Sequence, residues 1–194
     1  MIVLFDLSGV FFKRDLKEVV KRISKKYFLD PQKLEFVLIG PFSFEYRKGL
    51  VYPEDFWKRV KEYLNIEDVE KIKHAFFNAY YPYNKTIKFI KKLKQRKIQV
   101  AFISNSPKDR VKYLNRKYNF ISLFDFGLFS FEVNVCKPDK GIYEKFLEKF
   151  NLKASEVIYI DDKEKNLEPA KELGIKTILF KNIEQLECGI RELL

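Results

Sequence analysis

Five short apolar runs, separated by longer segments of mixed polarity, constrain this chain more than any other feature. They are IVLF (2–5), IQVAFI (98–103), FDFGLF (124–129), VIYI (157–160) and KTILF (176–180). Most are apolar throughout rather than alternating, which is how strands buried on both faces read. Helical patterns stand between most of them: 84–96, 108–118, 140–150 and 165–174, the last ending at Gly174, a plausible helix stop. Alternating strand and helix predicts an α/β architecture of three layers, a parallel sheet with helices on both faces.

Residues 13–80 break that rhythm. DLKEVVKRISKKYFL, PQKLEFVLIG, PEDFWKRVKEYLN and IEDVEKIKHAFFNAY all read as amphipathic helices, Pro31 and Pro53 fit first helical turns, and no strand run is evident. The simplest organisation is one α/β domain, residues 1–12 and 83–194, interrupted by an all-helical insert, residues 13–82.

The formal net charge of +11 raises the question of a nucleic-acid partner. The lysines are scattered along helical stretches that also carry Glu, runs such as KKLKQRK are brief, and no nucleic-acid motif accompanies them. A solvated Lys/Glu-rich surface is the better account, and the same field would draw in a small phosphorylated molecule. No apolar stretch reaches the roughly 18 residues of a membrane span, and the N-terminus carries no export signal. Cys136 and Cys188 are the only cysteines and stand in unrelated contexts, which predicts a reduced, cytoplasmic setting. The sequence does not fix the oligomeric state.

Polar groups collect where the principal runs end: Asp6 after the first, Ser104-Asn105-Ser106 after the second, Asp161-Asp162 after the fourth. In an open parallel sheet those ends line one crevice. Lys137, in NVCKPDKGIY before a helix expected to start at Pro138, can enter it. Clustered acidic oxygens suit Mg²⁺. A lysine and a serine suit a phosphate, and a lone carboxylate can attack phosphorus to give an aspartyl-phosphate.

DLSGV, ISNS, CKPD followed by IY, and YIDDKEKN resemble the four ordered motifs of the haloacid dehalogenase-like hydrolase superfamily. The stretch from KPDKGIY to KTILF is similar to the group holding the phosphatase domain of soluble epoxide hydrolase and bacterial sugar-phosphate phosphatases. In that group the helical insert is a cap, and YRKGLVYPEDFW resembles part of it. The resemblance implies a Rossmann-like core. It implies Asp6 as nucleophile, Ser104 with Asn105 as phosphate-binding groups, and Lys137 as the lysine pairing nucleophile with phosphate. It also implies Mg²⁺ held by Asp6, the Ser8 carbonyl and Asp162, with Asp161 direct or one step removed, and Asn166 supporting the acidic loop.

Ser8 departs from the pattern. The family carries a second Asp there for general acid–base work, which serine cannot do at neutral pH. Three resolutions compete: a leaving group that needs little protonation, a substitute from the insert (Glu45, Tyr46 and Arg47 are candidates by position), or a protein that binds a phosphorylated ligand without catalysis. General acid–base help is worth about 10²–10⁴-fold, so its loss favours a slow or selective phosphatase over an inert scaffold. A dehalogenase would tolerate Ser8 but gives Asp161-Asp162 no purpose. His74, the only histidine, reads as solvent-facing or packing; Phe56, Trp57, Phe76 and Phe77 read as insert core, and Cys136 as a small buried residue.

Overall fold

The computed structural model describes residues 1–193. Five parallel strands, β1 (Ile2–Asp6), β4 (Gln99–Ser104), β5 (Phe126–Phe129), β6 (Val157–Asp161) and β7 (Lys176–Leu179), form a sheet of order β5-β4-β1-β6-β7. Two further strands, β2 (Phe12–Lys13) and β3 (Tyr81–Pro82), make a short antiparallel ladder at the foot of the helical insert. Two residues are too few to show a period, which is why the sequence gives no sign of them.

The central runs β1, β4 and β6 are strands because both of their faces are covered; the edge strands β5 and β7 are partly open. Val3 and Phe5 belong to one buried cluster and Ile2 and Leu4 to another on the opposite side of the sheet. The first cluster runs on into the insert through Val19, Leu34, Trp57 and Phe77, so insert and sheet share apolar packing. Helices Leu16–Tyr27, Pro31–Leu38, Pro53–Leu64 and Val69–Asn78 build the insert. Asp15, Asp30 and Asp68 cap three of them by accepting backbone N–H bonds, and Pro31 and Pro53 occupy first turns. A 3₁₀ turn (Pro41–Ser43) and a short helix (Phe44–Arg47) join the second to the third. The helix after Lys137 starts at Gly141 rather than Pro138, because Asp139 Oδ1 first accepts from the Gly141 N–H to form a turn. A closing helix, Ile183–Leu193, follows β7. No helix among the described residues is long and apolar enough to cross a membrane.

The chain leaves β1, crosses to β4 on one side, and later returns to β6 on the other. β1 is thus the point where strand order reverses, the position at which open parallel sheets bind ligands. Register makes the ends nearly level: Asp6 sits opposite Ile103, and Phe5 opposite Ile160.

Candidate active site

Asp6, Asp161 and Asp162 place carboxylate oxygens within 4.8 Å of one another at this rim. Lys137 Nζ reaches in from the loop after β5 and donates to Asp6 Oδ1 at 2.5 Å, Asp161 Oδ2 at 2.8 Å, the Tyr159 hydroxyl at 2.8 Å and the Ile103 carbonyl at 3.2 Å. An ammonium has three protons for these four acceptors, so its capacity is filled. The loop is pinned by Asn105, whose side chain accepts from the Lys137 N–H at 2.9 Å and donates to the Lys137 carbonyl at 2.8 Å.

The two neighbouring aspartates differ. Asp161 is fully buried and saturated. It accepts from Lys137, the Tyr159 hydroxyl, the Lys163 N–H, and Asn166 Nδ2, which lies 3.0 Å from both of its oxygens. Burial alone would raise its carboxyl, but Lys137 and these donors outweigh burial and hold it below the ordinary carboxylate range. Asp162 Oδ1 is buried with no hydrogen-bond partner among the described residues. Burial, then the Asp161 charge, pushes Asp162 up. Burial also pushes Asp6 up to about 7, and Lys137 offsets this only in part. Lys137 itself is raised: the carboxylates of Asp161 and Asp6 overcome the burial that would lower it.

An orphaned carboxylate oxygen beside a second buried carboxylate is a costly arrangement without a cation, so the residues present fit a hard divalent ion. The Ser8 carbonyl lies in the same cleft and accepts from Arg14 Nη2 at 3.1 Å, leaving one lone pair free. Gly9, at φ +115°, permits this loop: a Cβ there would fall 2.3 Å from Asp162 Oδ2.

The cleft has about 70 Å³ of free volume. Asp6, Ser8, Asn105, Lys137, Asp162 and Asn166 line it. Ser104 is fully buried, sharing a 3.0 Å hydrogen bond with the Ser106 hydroxyl, and Asp161 lies behind the lining. Of the insert residues singled out by position, Arg47 reaches the cleft. Tyr46 instead donates to Asp109, and Glu45 is exposed beside Lys48 at 3.5 Å. His74 is exposed and Cys136 buried. Phe76 packs in the insert core and also borders the cleft.

Sequence reasoning missed Tyr159, Arg14, Tyr80 and Arg110. Tyr159 sits inside an apolar run and carries no signal apart from its hydroxyl. The other three lie outside the strand-end motifs, and a lone Arg or Tyr in a helical or linking segment reads as surface or packing.

A family model described as haloacid dehalogenase-like hydrolase matches residues 3–180. Bifunctional epoxide hydrolase 2 of Mus musculus is 41% identical over 59 residues, which are 30% of this chain and 11% of that protein. This chain therefore matches a small part of that relative. The phosphorylated carbohydrates phosphatase of Thermotoga maritima is 23% identical over 91% of this chain and 82% of its own length. Among solved structures, a haloacid dehalogenase family enzyme of Bacteroides thetaiotaomicron in a magnesium complex superimposes with a TM-score of 0.80 at 26% identity, covering 92% of both chains. The same enzyme has also been solved with magnesium and inorganic phosphate, at a TM-score of 0.77 and 25% identity.

Proposed function

The chain belongs to the haloacid dehalogenase-like hydrolases, and from that premise we propose that it is a Mg²⁺-dependent phosphatase acting on a small phosphate monoester through a phospho-Asp6 intermediate. The observation that carries this reading is Asp6 held 2.5 Å from Lys137 as one of a cluster of three carboxylates at the cleft, one of which, Asp162, has an orphaned oxygen.

Asp6 would attack phosphorus in line with the ester oxygen. Lys137 orients the Asp6 carboxylate and offers positive charge to the phosphoryl oxygens as charge develops there. The Asn105 side chain fixes the Lys137 backbone from both sides, so the ammonium is placed before substrate arrives. Ser104, fully buried and sharing a hydrogen bond with Ser106, would support the strand end from which Asn105 enters the cleft, without touching the phosphoryl group itself. Asp162, Asp6 and the Ser8 carbonyl would hold Mg²⁺. Asp161, already saturated, positions Lys137 and the acidic loop instead. When bound, the ion supplies charge that keeps Asp6 ionised and screens its approach to the phosphoryl oxygens. Residues 13–82 would act as a cap that closes over the cleft and excludes water.

Ser8 leaves the leaving oxygen without its usual proton donor. The substrates handled best are those whose leaving group departs with little protonation, such as an anomeric or acyl phosphate. A Mg²⁺-dependent screen over phosphorylated small molecules tests the reading. Turnover abolished by Asp6→Asn supports it. Absence of turnover, with phosphate and Mg²⁺ still bound, would instead support a non-catalytic ligand-binding protein. Ser8→Asp should raise turnover on poor leaving groups; no gain would locate the proton source elsewhere.

A further inference from the structure

Five cationic side chains border the cleft, Arg14, Arg47, Arg110, Lys137 and Lys163, against the carboxylates of Asp6 and Asp162. Lys137 is spent on Asp6 and Asp161. A divalent cation and a phosphate dianion would add charges that cancel. A surplus of positive charge remains, and it resides in the arginines and Lys163.

Neutral groups hold the arginines. Arg110, 6% exposed, donates to the Tyr80 hydroxyl at 2.9 Å, the Ser106 hydroxyl at 3.1 Å and the Asn105 carbonyl at 3.3 Å; its Nε is buried with no partner among the described residues. Its guanidinium carbon lies 4.7 Å from the Tyr80 ring centre and that of Arg14 6.0 Å from it. Arg47 donates to the carbonyls of Ser43, Ile39 and Gly40 at 3.2–3.4 Å. Among the described residues, none of the three arginines forms an ion pair with a carboxylate. Burial, then the like charges of Arg110 and Arg14, lowers Arg47. Burial would raise the Tyr80 phenol, yet Arg110 and Arg14 outweigh it and bring it below its ordinary value. A buried guanidinium, Arg110, with two half-buried ones beside it, all on neutral partners, is costly unless an anion joins them, and guanidinium is the group best shaped to grip carboxylate or phosphate.

Taking the phosphatase reading as given, we infer that Arg14, Arg47 and Arg110 seat a second anionic group of the substrate. The molecule hydrolysed is then a short phosphate monoester that also carries a carboxylate or a second phosphate. The small cleft limits its length to a few carbons.

Three esters of matched chain length test this: the phosphate ester of hydroxypropionate, propanediol bisphosphate and propanediol monophosphate. At least one of the first two should exceed the third in kcat/KM by roughly 10- to 100-fold, the range expected for hydrogen bonds to a charged group. Whichever leads identifies the second anion as carboxylate or phosphate. Arg47→Gln should lower that ratio about tenfold, chiefly through KM, and Arg14→Gln should move it the same way. Equal kcat/KM for all three esters, or variants that scale all three alike, overturns the inference. If none of these alkyl esters, whose leaving oxygens need a proton that Ser8 cannot give, is turned over, the phosphatase reading is decided by the Mg²⁺-dependent screen instead. Calorimetric titration of the three esters into Asp6→Asn protein then still decides the arginine seat. Tighter binding of the charged esters, lost on adding Arg47→Gln, upholds it; equal affinities reject it.

Discussion

The strand-end group and the arginine group border one cleft but are built on opposite terms. Asp6, Lys137 and Asp161 form a closed circuit in which each buried charge has an opposite charge within hydrogen-bond reach. Arg14, Arg47 and Arg110 rest on carbonyls, hydroxyls and an aromatic face, with no opposite charge in contact. The first arrangement is complete before any ligand enters and suits chemistry common to many substrates. The second is completed only by a ligand and suits selection among them.

The largest expected effect comes from the first group. Asp6→Asn should cost at least about 10⁴-fold in turnover, because the nucleophile itself is removed; residual activity near wild type would break the assignment of Asp6. Next in size, Lys137→Met leaves two carboxylates facing each other in the interior. Urea unfolding should show a loss of about 3–5 kcal/mol, the usual effect of removing one partner of a buried pair. A loss well under 1 kcal/mol would mean the circuit is not closed as described.

A third experiment separates the adjacent aspartates. Asp161→Asn should lower the melting temperature of metal-free protein, since a saturated, favoured charge is lost. Asp162→Asn should raise it, since an orphaned, disfavoured charge is lost, and should also abolish the rise in melting temperature that Mg²⁺ gives the wild type. Variants that behave alike would erase the distinction.

The smallest effect is in pH. The Asp6 carboxyl, raised to about 7, binds a proton in the folded state over a range where the unfolded chain, with a carboxyl near 4, has released it. Folding therefore takes up a proton, and this group's contribution to stability falls as pH rises from about 4 to about 7. In metal-free protein, melting temperature against pH should slope more steeply downward over that window in wild type than in Asp6→Asn. Parallel curves would mean that Lys137 fully compensates Asp6.

Legibility in the sequence follows the same division. Strand runs 2–5, 98–103 and 157–160 could be read because burial on both faces leaves an unbroken apolar signature, and the residue ending each run is then carried to the rim by register alone. Asp6 and the Asp161-Asp162 pair were visible for that reason, and the fold with them. Arg14, Tyr80 and Arg110 converge through packing of the insert and its linking segments, which no local period encodes. Arg47 stood out only by position, and its neighbours Glu45 and Tyr46 looked equivalent until the short helix Phe44–Arg47 separated their directions. The β2–β3 ladder, two residues a side, carries too little signal to be read, whereas helix Ile183–Leu193 bears an apolar stripe, Ile183, Leu186 and Ile190, as regular as those of the helices that the sequence reveals.

Asp109, on the helix that follows β4, accepts from Tyr46 and, at 2.9 Å, from the Trp57 indole N–H, both on the insert. Swinging the insert away would strip this carboxylate of both donors at once and expose the apolar packing around Trp57. Were the insert to open as the proposed cap, this junction would act as a latch, and the rate of ligand exchange would then be set at Asp109, away from the carboxylate cluster.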